Sequence, residues 1–248
     1  MNVPRVPLAL LSLVVAAVGL SVWVGLVHAP LPGDVWLARR TQSIGGLDTL
    51  AEAVNRAGDL RWLPGGAFFA FWVWRERRGH PWRPAVLGFA LLLLQSGSQL
   101  LKEAIDSPRP TAGYGLVIDR LRGDPGFPSG HVYGDVLTYG ALALLAPCVL
   151  PRAPAVAIRL AAAAVILPAG WARVYVGAHW PSDVVGGYLW GALALATVAM
   201  LAARLLRSRL VAPDARMSAD TPRAIDESID RAAVVRIQPS PPAEDNEA

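Results

Sequence analysis

The sequence predicts an all-α membrane bundle of six transmembrane helices, with an amphipathic helix between spans one and two. Three observations carry this. The 248 residues are 54% hydrophobic and only 17% charged, whereas soluble domains carry about a quarter charged residues. The apolar residues gather in blocks close to the ~20 residues that cross hydrocarbon as a helix, separated by polar joints. The single cysteine, Cys148, excludes an internal disulfide framework and a zinc–thiolate cluster. The same composition excludes a disordered, fibrous or nucleic-acid-binding chain, so no nucleic-acid partner is expected.

The first block runs from about Pro7 to Val27. Arg5 and the Val27-His28-Ala29 end would also fit a cleaved signal peptide, but the apolar core exceeds the roughly 7–15 residues of such a peptide, so a retained span is expected. Asp34 to Asp59 is more polar. Leu47, Leu50, Ala51 and Val54 recur there at helical spacing, which predicts an amphipathic helix with a packing role. Leu60 to Trp74 is short, contains Pro64-Gly65-Gly66 and is rich in Trp and Phe, as interface-anchored helices are. Pro84–Ile105, His131–Leu150, Ala153–Tyr175 and Asp183–Leu206 complete six spans. The expected membrane domain is therefore 1–206. Residues 207–248 are rich in Pro, Ser, Asp and Glu and read as a mobile cytoplasmic tail.

Positive charge orients the bundle. Arg75, Arg77, Arg78 and Arg83 form the densest cluster in any short joint, on the side that also holds Arg5, Arg152, Arg204, Arg207 and Arg209. Lys and Arg mark the cytoplasmic side. Both termini are expected in the cytoplasm, with the chain in the plasma membrane and the opposite joints facing outward.

Three joints share that outward face. The first is Lys102 through Arg109-Pro110, at the end of a hydrophobic helix. Lys102 read alone is a basic residue snorkelling to the interface. Yet 22 of the 23 basic residues are arginine, and a compact ammonium is not interchangeable with a planar guanidinium. The one lysine is therefore a candidate ligand. The second joint, Gly126-Phe127-Pro128-Ser129-Gly130-His131, opens a helix whose N-terminal N–H groups and dipole favour an anion. Read alone, Ser129 is an N-cap and Gly130 a turn residue. His131 and Asp135 fall four apart, on one helical face. The third joint runs from Arg173 through His179 to Asp183. Pro181 suits a helix start, which brings Asp183 within reach of His179 to fix its tautomer. Ionisable groups this close to hydrocarbon are costly and mark function. Lys102, Arg109 and Arg173 with helical N–H donors suit a highly charged oxyanion such as phosphate.

Lys102 with six residues before Arg109-Pro110, then Pro128-Ser129-Gly130-His131, then Arg173 with five residues before His179 and three before Asp183, resemble the three signature motifs of the type 2 phosphatidic acid phosphatase family. That family of lipid phosphate phosphatases shares its site with bacterial acid phosphatases and vanadium haloperoxidases. One departure is visible: Ala172 stands where the third motif usually has serine, which removes one hydroxyl and is expected to tune affinity. The resemblance implies catalysis by His179, His131 and Asp183. His179 attacks phosphorus, Asp183 holds its other nitrogen, and His131 protonates the leaving oxygen and then activates water. It implies substrate binding by Lys102, Arg109, Ser129, Gly130 and Arg173, with no metal and no other cofactor. The expected partner is a lipid phosphate reached from the bilayer. Polyprenyl diphosphate is the favoured substrate, with phosphatidate or phosphatidylglycerol phosphate behind it. A lipid phosphotransferase using the same intermediate, a haloperoxidase and a non-catalytic scaffold are the other classes.

Overall fold

A computed structural model describes residues 8–118 and 123–210, the last four by backbone alone. The chain divides after Ala202. The described part of the second unit is the end of one helix, so the predicted tail lies outside the described residues beyond 210. Among the described residues every regular element is helical.

Helix α1 (Leu8–Val27) is apolar on all sides and buries only Ala17 and Val24. Leu8, Leu11, Val15, Trp23 and Leu26 stand exposed along it, as on a helix facing hydrocarbon. The predicted amphipathic segment is two helices, α2 (Asp34–Gln42) and α3 (Asp48–Asp59). Gly33, at φ 95°, makes the turn into α2, a conformation that a side chain disfavours. On α3, Ala51, Val54 and Gly58 are buried. Ala51 and Val54 pack with Ala172 against Trp171, Tyr175 and Val176. Leu50 of the predicted apolar stripe is instead 52% exposed.

Helix α4 (Trp62–Arg75) has 14 residues, roughly 21 Å of rise against the ~30 Å of hydrocarbon. It coincides with the second predicted block, Leu60 to Trp74, and is shorter than a full crossing. Five segments are long and apolar enough to cross a membrane, so the chain is a multi-pass membrane protein without six full-length spans among the described residues. The third predicted span is α5 (Trp82–Gln95) and α6 (Gly97–Ile105), broken at Ser96. Polar side chains of the next helix meet that break. Tyr133 Oη donates to the Leu94 carbonyl at 2.5 Å, and Gln95 Nε2 donates to Thr138 Oγ1 at 2.7 Å.

Helix α7 (Gly130–Val149) is the centre of the bundle, with 13 of its residues buried. Helices α8 (Arg152–Tyr175) and α9 (Pro181–Leu210) follow. Backbone approach sets the α7–α9 contact. A Cβ on Gly187 would lie 2.8 Å from the Ser129 carbonyl oxygen, and one on Gly191 would lie 2.9 Å from Val136 Cβ. Only glycine admits that approach, and it brings the start of α9 against the start of α7.

Candidate active site

The three joints meet at one end of the bundle, stitched by backbone groups. Gly126 N–H donates to the Ser107 carbonyl at 2.8 Å, and Phe127 N–H donates to Ser107 Oγ at 2.8 Å. Ser129 N–H donates to the Asp183 carbonyl at 2.9 Å, and Trp180 Nε1 donates to the Pro108 carbonyl at 3.1 Å. A Cβ on Gly126 would fall 2.8 Å from Asp183 Oδ2 and 3.3 Å from the Pro108 carbonyl, so all three joints touch at that glycine. Asp34 secures the third from outside. Its carboxylate accepts from Ser182 N at 2.9 Å, Ser182 Oγ at 2.6 Å and Leu31 N at 2.8 Å. It therefore caps the N-terminus of α9 by accepting from donors there, including a backbone N–H that the helix leaves unpaired.

His179 lies inside this junction, 2% exposed, with Asp183 1% exposed. His179 Nδ1 is 3.3 Å from Asp183 Oδ2, which also accepts from Trp180 N–H at 3.0 Å. On its other side Nε2 is 3.2 Å from Arg109 Nη1. A guanidinium is a donor only, so Nε2 accepts and the proton sits on Nδ1, facing Asp183. That assigns the tautomer from the network around it. Burial pushes the His179 imidazole well below its ordinary range, and the nearby Arg109, Arg173 and Lys102 charges push the same way. The result is a neutral imidazole with its Nε2 lone pair turned toward cations.

The cations are buried and held. Lys102, 6% exposed, lies beside the first turn of α7, where a Gly130 Cβ would be 3.8 Å from its Cε. It is ion-paired with Asp124. Arg109 donates to Asp124 Oδ2 at 2.7 Å, to the Asp124 carbonyl at 2.7 Å and to the Ala178 carbonyl at 2.6 Å. Burial would raise the Asp124 pKa, but the hydrogen bonds from Lys102 and Arg109 and their charges prevail and hold it at about 2. Arg173, 5% exposed, donates to Asn55 Oδ1 at 3.0 Å. Ser129 precedes α7 as its N-cap residue, fully buried, and its Oγ has no hydrogen-bond partner among the described residues.

The junction thus brings together every site residue expected from the motifs. One pairing differs. His131 Nε2 bonds Asp59 Oδ1 of α3 at 2.7 Å. Asp135 is 2% exposed and packs against Gly58, whose Cβ would fall 2.9 Å from its Oδ2. The sequence reading also passed over Asn55, Asp59 and Asp124. Asn55 and Asp59 are four apart on α3 and so share a face, a spacing visible in the sequence but without a partner there. Ala172 is fully buried against Ala51 and Val54, so the motif departure makes an apolar seat for α3.

Comparison with known proteins agrees with this architecture. The model of the PAP2 superfamily matches residues 83–207. A lipid A 1-phosphatase of Rhizobium johnstonii is 33% identical over 186 residues, covering 66% of this chain and 72% of that protein. The crystal structure of a transmembrane PAP2-type phosphatidylglycerolphosphate phosphatase from Bacillus subtilis superposes with a TM-score of 0.64. It is 21% identical and covers 77% of this chain and 94% of its own, a likeness of fold. The motifs, the junction they build and these relatives establish that the chain belongs to the PAP2 superfamily.

Proposed function

We propose that this chain is an integral membrane lipid phosphate phosphatase that works through a phosphohistidine on His179. The observation that carries the reading is the polarity of that imidazole. Asp183 accepts from its Nδ1–H, and the Nε2 lone pair faces Arg109 among buried cations. An incoming phosphoryl group replaces Arg109 as the partner of Nε2. It also replaces the Asp124 carboxylate on Lys102 and Arg109. Nε2 attacks phosphorus, the bond to the leaving oxygen breaks, and His131 supplies the proton that oxygen needs. Asp183 stabilises the charge developing on His179. Lys102, Arg109, Arg173, Ser129 Oγ and the Gly130 N–H hold the phosphoryl oxygens. Water then attacks phosphorus, His131 takes its proton, and phosphate leaves with His179 neutral again. Three cations neutralise the phosphoryl charge, so the reaction is proposed to need no metal.

The finer choice concerns the leaving group. A cavity of about 580 Å³ adjoins Arg173 and is lined by Asp48, Glu52, Asn55, Arg56, Asp59 and Tyr175 among others. Arg173, proposed to hold the phosphoryl group, lines this cavity together with Asp59, so the cavity adjoins the phosphoryl site. Polyprenyl diphosphate would place an anionic lipid monophosphate in a cavity lined by three carboxylates against two guanidinium groups, Arg56 and Arg173. A hydroxyl-bearing alcohol would meet hydrogen-bond acceptors there instead. That favours a phosphate monoester of a polar lipid headgroup over polyprenyl diphosphate, and the relatives' names, lipid A 1-phosphatase and phosphatidylglycerolphosphate phosphatase, point the same way.

Phosphate release from a panel of lipid phosphates in detergent tests both levels. Wild type should hydrolyse glycolipid or glycerolipid monoesters faster than polyprenyl diphosphate, with or without a chelator, and His179→Ala should release nothing. Preference for the diphosphate would overturn the finer reading. Loss of activity on chelation would overturn metal independence.

A further inference from the structure

We propose that Asp59 is a positioning residue for His131, fixing which ring nitrogen exchanges the proton with the leaving oxygen and with water. The inference rests on the phosphatase reading above and adds a residue that lies outside the three motifs.

The site holds two carboxylate–imidazole pairs in different settings. Asp183 and His179 are both sealed, with side-chain exposures of 1% and 2%. Asp59 and His131 are more open, at 65% and 17%. A carboxylate accepts, so in the 2.7 Å contact His131 Nε2–H donates to Asp59 Oδ1 and keeps its proton there. Nδ1 is then the nitrogen that gives a proton to the leaving oxygen and later takes one from water. No net proton is gained or lost over the two steps. The sealed pair suits a neutral nucleophile, and the open pair suits a group that must load and unload a proton each turnover.

Helix α3 is built to deliver this contact. Asn55, one turn before Asp59, holds Arg173 through Oδ1 at 3.0 Å. One helix face therefore seats both the acid–base imidazole and a phosphate cation. Below Asp59 the helix is pinned to α7. Tyr139 Oη of α7 donates to the Ala57 carbonyl at 2.7 Å. Arg61 lies against Gly134, whose Cβ would come 2.6 Å from Arg61 Nε. Arg61 Nη1 in turn donates to the Gly58 carbonyl at 2.6 Å. The carboxylate is thus carried by a docked element with little freedom to wander.

The test compares Asp59→Asn, Asp59→Glu and His131→Ala with wild type, using two substrates in detergent. One is a lipid alkyl phosphate, whose leaving oxygen needs a proton. The other is an aryl phosphate with an acidic phenol, followed by its first-turnover burst, which needs little protonation. Asp59→Asn should lower kcat on the alkyl ester by roughly 10²-fold with KM within about twofold, because it weakens general acid catalysis. The aryl burst should fall by less than about threefold. Asp59→Glu should recover most of the loss, and Asp59→Asn in a His131→Ala background should add almost nothing. The proposal is overturned if Asp59→Asn keeps near-wild-type kcat on the alkyl ester. It is equally overturned if both substrates fall together with a lowered melting temperature, the mark of a structural role. An inactive wild type, or an active His179→Ala, would instead overturn the phosphatase reading.

Discussion

At the scale of single residues, charge and burial make the sharpest demands. Lys102 is the lone lysine among 23 basic residues, and it is buried against the first turn of α7 and Asp124. A guanidinium is wider and planar, so Lys102→Arg should cut kcat/KM by about tenfold or more despite conserving charge. Normal turnover in that variant would make the composition clue accidental. Asp124 occupies the same cations that are proposed for phosphate. Asp124→Asn should therefore lower KM for the lipid phosphate and tighten inhibition by inorganic phosphate. The same carboxylate predicts a pH effect on stability. Its folded pKa of about 2 lies below the unfolded value of 3.8, so the folded state binds its proton less readily. The stability it contributes is complete above about pH 4 and is lost as pH falls toward 2. Thermal melts in detergent should show that loss in wild type and not in Asp124→Asn. His179 acts at higher pH with the same sign. Its depressed folded pKa means that stability declines as pH falls through its unfolded value, about 6.5.

At the scale of elements, the site depends on how helix starts are brought together. Gly187→Ala would put a Cβ 2.8 Å from the Ser129 carbonyl oxygen and 2.9 Å from Val132 Cβ. Overpacking of that kind costs about 1–3 kcal/mol, and here it also moves Asp183 relative to α7. A lower melting temperature and a lower kcat should appear together. The N-terminus of α9 at Pro181 and the N-cap position of Ser129 were legible in the sequence because proline and Ser-Gly chemistry is local. The role of α3 was not. Its periodic apolar residues announce a helix, but Asp59 and Asn55 acquire meaning only when α3 docks on α7 and α8 and meets His131 and Arg173. Spacing alone paired His131 with Asp135. Both side chains meet the end of α3, Asp135 buried against Gly58 and His131 bonded to Asp59, so the partner of the imidazole comes from α3 and not from its own helix. The second predicted block, Leu60 to Trp74, coincides with α4 and is as short in the structure as in the sequence, which leaves five segments long enough to cross a membrane among the described residues.

At the scale of the whole molecule, the fold class and the site's location were readable because hydrocarbon punishes exposed polarity, so every buried charge stands out. Orientation is the global property that fixes where substrate enters. The site lies at the N-terminal end of α7, and Cys148, an exposed residue, lies near the other end. The arginine distribution predicts a site outside the cytoplasm, in which case a membrane-impermeant maleimide should label Thr111→Cys, an exposed position just after the first joint, in intact cells. It should reach Cys148 only after permeabilisation. The reverse pattern would invert the topology.

The central claim is that one imidazole becomes the covalent phosphate carrier. Wild type, His179→Ala and His131→Ala, quenched rapidly with a lipid substrate radiolabelled in its phosphate, test it directly. Wild type should show an acid-labile, base-stable phosphoenzyme. His131→Ala should keep that label longer while kcat falls by roughly 10²–10⁴, and His179→Ala should show neither label nor turnover. Full phosphate release by His179→Ala, or a label carried on another residue, would contradict the account.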